Sequence, residues 1–343
     1  MSRRSVTLLV AAAGVLIALA VAVVAPVPYV ALTPGPTLNT LGTQHGKALI
    51  QVKGHRIYPT SGNLNMVTVS FFGGPGSNFN IFAALRSWLS PHDAVVPSSE
   101  IFTPGDTPQQ VARQDTEEMA NSQETATAAA LCQLKFGFKT IDTVQSTIKG
   151  MPAAGVLRPG DVITAVDGTP VTCRADAGTL VKERKPGSAV QLTVLRHGRT
   201  IPVRLTTADV QGQPEIGVYL VESFTFPFTV SISVGNIGGP SAGLMFALGI
   251  IDKITPDNLT GGRFIAGTGE IEANGTVEPI GGIQQKMAGA RAAGATIFLT
   301  PAANCSDTSG AVPAGLRLIK VSSLAGAIAA LDALKAGKPV PSC

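Results

Sequence analysis

The chain has 343 residues, room for one membrane segment and two modest domains. Only 14% of the residues are charged, the formal net charge is +4, and no run of five Lys or Arg occurs, which argues against a nucleic-acid partner. No cysteine pair has CxxC spacing and no histidine falls at a metal-ligand interval, so neither a metal nor another cofactor is expected.

The clearest physical signal comes first. Met1-Ser2-Arg3-Arg4 precedes an uncharged apolar run from Val6 to Ala25. As a helix that run extends roughly 30 Å, the thickness of a bilayer's hydrocarbon core. Residues 1–5 read as a cytoplasmic tail and 6–28 as a single-pass plasma-membrane anchor. Arg3 and Arg4 should stay on the cytoplasmic side, which puts the rest of the chain outside. A cleaved signal peptide is the competing reading. Its core would be unusually long, and Pro26 directly after Val23-Val24-Ala25 disfavours cleavage. An exported chain can oxidise Cys132, Cys173, Cys305 and Cys343 into two disulfides, with three possible pairings. Cys305–Cys343 is favoured because both lie in the C-terminal stretch.

After the anchor, Thr33-Pro34-Gly35-Pro36 reads as a stiff turn leading off the membrane. Residues 48–53 and 64–72 read as strands and 81–89 as a short helix. Thr107-Pro108 opens a longer helix to about Leu134, with Met119, Ala126, Ala129 and Ala130 on its buriable side. Between 136 and 207, strand-like runs at 140–144, 162–166, 189–196 and 200–205 are punctuated by turn signals such as Arg158-Pro159-Gly160-Asp161. One helical stretch, 175–184, lies among them. From 213 the pattern is α/β again: strands at 216–221 and 228–234, a helix at 241–251, a strand at 263–272, a helix at 282–293, a strand at 296–300 and a last helix at 323–336.

Two stretches carry chemistry. In Gly238-Gly239-Pro240-Ser241-Ala242-Gly243 the serine falls where a helix should begin. The backbone of Pro240, Ser241 and Ala242 is therefore the expected cradle for an oxyanion, at unpaired N–H groups and the positive end of the helix dipole. Serine is equally a favoured helix cap after ordinary turn residues. Further on, Gly267-Thr268-Gly269-Glu270-Ile271 and the run from Gly275 through Ile280-Gly281-Gly282 put Lys286 one turn into an apolar helix. A lysine held in a poorly solvated pocket loses basicity and can accept a proton from a serine. A lone helical lysine is more often a solvated surface charge.

In this order the two stretches resemble the proteolytic domain of the Lon family, with its PSAG, TGE and G-x-V-x-x-IGG segments ahead of a lysine. The resemblance implies Ser241 as nucleophile, Lys286 as its base and Thr268 as the threonine that hydrogen-bonds beside them. It also implies self-association, since Lon proteolytic domains form rings. Gly239 departs from the family, which commonly has Asp there. No GxxxxGK[ST] loop is present, so no ATP-driven motor is expected. A trypsin-like frame, Gly235-Asn236-Ile237-Gly238-Gly239-Pro240, would put Ile237 at the nucleophile position, and His45, His55 and His92 lack the setting of a triad.

Met151-Pro152-Ala153-Ala154-Gly155, Leu157-Arg158-Pro159-Gly160-Asp161 and Val166-Asp167-Gly168 resemble a bacterial PDZ domain over residues 136–207. That implies a peptide-binding groove whose loop lies near Phe136-Gly137-Phe138, a spacer being the alternative. The expected architecture is α+β: an N-terminal transmembrane helix, a Lon-type proteolytic domain in two pieces (31–134 and 213–343), and an inserted PDZ-like β-barrel. The expected function is a membrane-anchored, ATP-independent serine endopeptidase acting on unfolded or flexible exported polypeptides. The alternative is a non-catalytic tethered adaptor on a Lon-like scaffold.

Overall fold

The computed structural model describes residues 3–44 and 46–343. Helix α1 (Arg3–Val24) is continuous and has no buried residue. It is long and apolar enough to cross a membrane. In chain order there follow strands β1 (Tyr29–Asn39) and β2 (Asn63–Gly73), helix α2 (Ile81–Trp88), strand β3 (Ala94–Pro97) and helix α3 (Pro108–Gln133). Strands β4 (Lys139–Thr147) and β5 (Val162–Val166), helix α4 (Ala177–Lys182), and strands β6 (Ala189–Arg196), β7 (Arg199–Thr206) and β8 (Val218–Thr225) come next. The last part contains helix α5 (Gly243–Ile254), strands β9 (Phe264–Gly267), β10 (Glu270–Ile271) and β11 (Val277–Glu278), helix α6 (Ile283–Ala292), strands β12 (Ile297–Pro301) and β13 (Arg317–Val321), and helix α7 (Leu324–Lys335).

One mixed sheet, in the order β13-β12-β9-β2-β1-β3, joins the two ends of the chain. Strand β9 lies parallel to β2, with Ile265 opposite Leu64, so segments from both sides of residues 139–225 share one core. Helix α5 lies at its heart. Every residue of α5 except Lys253 is buried, as an all-round apolar helix requires. Thr107 opens α3 with a reciprocal cap to Gln110 and Pro108 in the first turn. The second half of α3 buries Ala126 and Thr127 to Leu131 against that core.

Strand β1 differs from expectation. Thr33 to Pro36 is not a turn but part of an eleven-residue strand between β2 and β3. The register shifts between Pro34 and Thr37. A bulge lets a ladder tolerate residues without an N–H. Gly35 is pressed against Thr68, and a Cβ there would collide with its hydroxyl. Strands β3 and β13 are edge strands that sequence patterning did not reveal.

The second sheet runs β7-β6-β5-β4-β8 and encloses a core of Val144, Ile163, Leu180, Leu192 and Val194 with α4. Asp161 is one of its two buried carboxylates, Asp142 being the other. The Asp161 carboxylate accepts from Arg196 Nε at 2.7 Å and Nη2 at 2.6 Å, and from the Arg158 amide at 2.9 Å. This sheet extends past residue 207, because β8 pairs antiparallel with β4. The stretch read as the first strand of the C-terminal protease piece thus completes the inserted unit. A disulfide between Cys132 and Cys173 ties the end of α3 to this unit, and Arg174 donates to the Cys132 carbonyl at 3.2 Å. Cys305 pairs with Cys343.

Candidate active site

Ser241 sits in the turn leading into α5, one residue before the helix cap, Ala242. The turn is held from α3. The Gly239 amide donates to the Asp115 carbonyl at 3.1 Å, and Ser122 Oγ donates to the Pro240 carbonyl at 2.8 Å. Gly239 has φ of +83°. An L-residue such as Asp would be strained in that conformation. The turn is thus built for glycine where Lon proteins commonly carry Asp, and Asp115 is the carboxylate beside it. Pro240 has no N–H, so of the three backbone positions expected for an oxyanion only Ser241 and Ala242 have donors.

Strand β9 ends at Gly267 and delivers Thr268, which is fully buried. Its hydroxyl donates to the Ser241 carbonyl at 2.9 Å, and the next amide, Gly269, donates to the same carbonyl at 2.9 Å. Lys286 comes from the first turn of α6 and is only 4% exposed. Its Nζ donates to Thr268 Oγ1 at 3.3 Å. Thr268 therefore touches both Ser241 and Lys286. Among the described residues Lys286 has no carboxylate partner. Burial without a counter-ion disfavours its charged form and brings its pKa down from 10.5 to about 7. An amine so placed is neutral in a large fraction of molecules near neutral pH.

A cavity of about 250 Å³ adjoins the turn on one side, lined by Glu118, Ser122, Thr125, Pro240, Glu270 and Ile271. A second, of about 340 Å³, shares Thr125 and Ile271 with it and reaches Asp176, Thr179 and Lys182 of the inserted unit and Glu222 of β8. The walls are acidic. Burial, then Glu118, Glu278 and Glu272, raise the pKa of Glu270. Glu222 is partly open to solvent, yet its desolvation and then Asp142, Asp176 and Glu272 push it up to about 7. Glu222 stands directly across from Asp142 in the ladder.

Phe136, Gly137 and Phe138 do not line this path. The Phe136 ring packs against His55 and Phe228, and Phe138 against Phe224 and Phe226, so the expected loop is an aromatic joint between the two units. The terminal strand of the inserted sheet is β8, whose Tyr219 and Val221 are exposed. The shift could not be read locally, since β8 follows β4 by a whole domain. His45 lies outside the described residues.

Residues 126–207 match the PDZ domain family, and residues 231–330 match the Lon protease (S16) C-terminal proteolytic domain. Lon protease 2 of Herpetosiphon aurantiacus is 45% identical over 69 residues, 20% of this chain and 8% of that protein. Lon protease 2 of Bacillus subtilis is 45% identical over 71 residues, 20% of this chain and 12% of that protein. The chain thus spans only a small fraction of these relatives. A crystal structure of the PDZ domain of an SdrC-like protein from Listeria innocua is 28% identical, covering 23% of this chain and 90% of that one, with a TM-score of 0.22. The chain is a protein of mixed helix and strand. It carries a PDZ domain and a Lon-type (S16) C-terminal proteolytic domain.

Proposed function

We propose that this chain is a serine endopeptidase in which Ser241 attacks the peptide carbonyl and Lys286 takes its proton. The observation that carries the reading is the buried Lys286 amine, without a counter-ion and joined to the Ser241 turn through Thr268. The neutral amine accepts the Ser241 Oγ proton as the carbonyl carbon is attacked, then returns it to the leaving amine. An acyl-enzyme on Ser241 remains, and water releases it. The Ser241 and Ala242 amides face the oxyanion, and Thr268 holds the lysine and the turn in register. A scaffold alone would gain nothing from an unpaired buried amine, which disfavours the tethered adaptor.

Substrates are unfolded or flexible exported polypeptides, since the chain needs only an extended segment. A segment added to the outer edge of β8 continues through the two joined cavities toward Ser241. The α1 helix anchors the enzyme in the plasma membrane, with Arg3 and Arg4 on the cytoplasmic side and both domains outside. Self-association follows from the Lon resemblance.

The test is cleavage of an unfolded protein such as reduced casein by the full-length enzyme in detergent, without nucleotide. Ser241→Ala and Lys286→Ala should each lower the rate by about 10³-fold or more. Turnover that survives Ser241→Ala would end the proposal.

A further inference from the structure

Helix α2 turns its apolar face away from the protein. Ala84 is its buried residue, packed with Ala31 and Phe79. On the other side Ile81, Phe82, Leu85, Trp88 and Leu89 are exposed, Trp88 by 71% and Leu89 by 76%. Their spacing puts them on one helical stripe. Phe72, 56% exposed, lies directly across the ladder from Ala31 and so on the same face of the sheet as α2. Arg86 is the sole charge in the helix. A contiguous apolar stripe of this kind marks an interaction surface.

Its position indicates what covers it. Helix α2 begins where α1 ends. Asn80 Nδ2 donates to the Val23 carbonyl at 2.7 Å, while Asn80 Oδ1 caps α2 by accepting from the Ala83 amide at 3.0 Å. The Val27 amide donates to the Phe79 carbonyl at 2.8 Å. One side chain thus closes the last turn of the membrane helix and opens the first turn of α2. With α1 across a bilayer, the stripe lies at the level where the helix leaves the hydrocarbon. Tryptophan and amphipathic helices partition to that interfacial layer.

We propose that α2, together with Phe72, is a second membrane contact, set shallowly in the outer interface and fixing the orientation of the body against the lipid surface. The proposal rests on α1 being a retained anchor. Trp88 is the one tryptophan in the chain, so it reports on this face alone. Full-length protein is reconstituted into phosphatidylcholine–phosphatidylglycerol vesicles, floated on a density gradient, and its emission measured with lipids brominated at shallow or deep acyl positions. The protein should float, with blue-shifted Trp88 emission quenched more by shallow than by deep bromines. Leu85→Glu, and independently Leu89→Glu, should still float but lose about threefold or more of that quenching. Floating protein with red, unquenched emission would overturn the proposal. So would blue, unquenched emission that reddens when protein is diluted in lipid, which would assign the stripe to a second copy. Protein that does not float would instead remove the anchor on which the proposal rests.

Discussion

Each domain buries two ionisable side chains, Asp142 and Asp161 in one, Asp252 and Lys286 in the other, and Asp161 and Lys286 are treated in opposite ways. In the PDZ domain Asp161 is 1% exposed and held by both arms of Arg196 and the Arg158 amide, and these hydrogen bonds lower its pKa. In the proteolytic domain Lys286 is 4% exposed and donates to a neutral partner, Thr268, and its pKa falls to about 7. The first carboxylate stays charged and serves the fold. The second group is pushed toward its neutral form, at a cost to the fold, and that form can accept a proton. A buried charge with its partner is structure, whereas a buried amine without one is stored reactivity.

Substitution of the two groups should separate these roles. Lys286→Met should lower the cleavage rate by about 10³-fold or more while raising thermal stability. The sign is fixed by linkage. An amine with pKa near 7 folded and 10.5 unfolded binds more protons unfolded between those values. Stability therefore falls as pH drops from 10.5 to 7, and a deficit of roughly 3–5 kcal/mol is complete below pH 7. Scanning calorimetry at pH 6 should show the gain from Lys286→Met. Asp161→Asn should do the reverse, costing about 3 kcal/mol with little change in turnover per folded molecule. Equal stability changes in both variants would erase the contrast.

A smaller effect sharpens the same comparison in pH. The rate of cleavage should climb as pH rises through about 7, where Lys286 loses its proton, and level off above. The contribution of Asp161 to stability should be constant above its unfolded pKa and vanish only as pH falls through its lowered folded value. Thr268→Val should cut the rate about 10- to 100-fold by releasing both Ser241 and Lys286, and Thr268→Ser should restore much of it. Smallest of all, basic peptides should bind the β8 edge a few-fold more tightly at pH 8 than at pH 6. Glu222→Gln should flatten that difference, measured by fluorescence anisotropy.

The proposed site was legible in the sequence because its residues lie in local motifs. Ser241, Thr268 and Lys286 each sit in a turn or helix start spelled out by neighbours, and the fold brings all three together through two hydrogen bonds. What stayed hidden depends on pairing between distant segments. Prolines 34 and 36 look like a turn, and only the bulge against β2 makes β1 a strand. Strand β8 looks like the start of an α/β unit, and only its ladder with β4 assigns it to the PDZ sheet. Phe136-Gly137-Phe138 reads as a groove loop until His55 and Phe228 pack onto it from outside the domain.

The most direct measurement is the pH dependence of Ser241 acylation. Full-length protein would be treated with a fluorophosphonate ester, and the modified residue and its rate of labelling followed by peptide mass spectrometry from pH 5 to 10. Labelling should fall on Ser241, reach half its maximal rate near pH 7, and be lost in Lys286→Met. An adduct at another residue, a midpoint near 10, or labelling indifferent to Lys286→Met would contradict the pairing of this serine with this lysine.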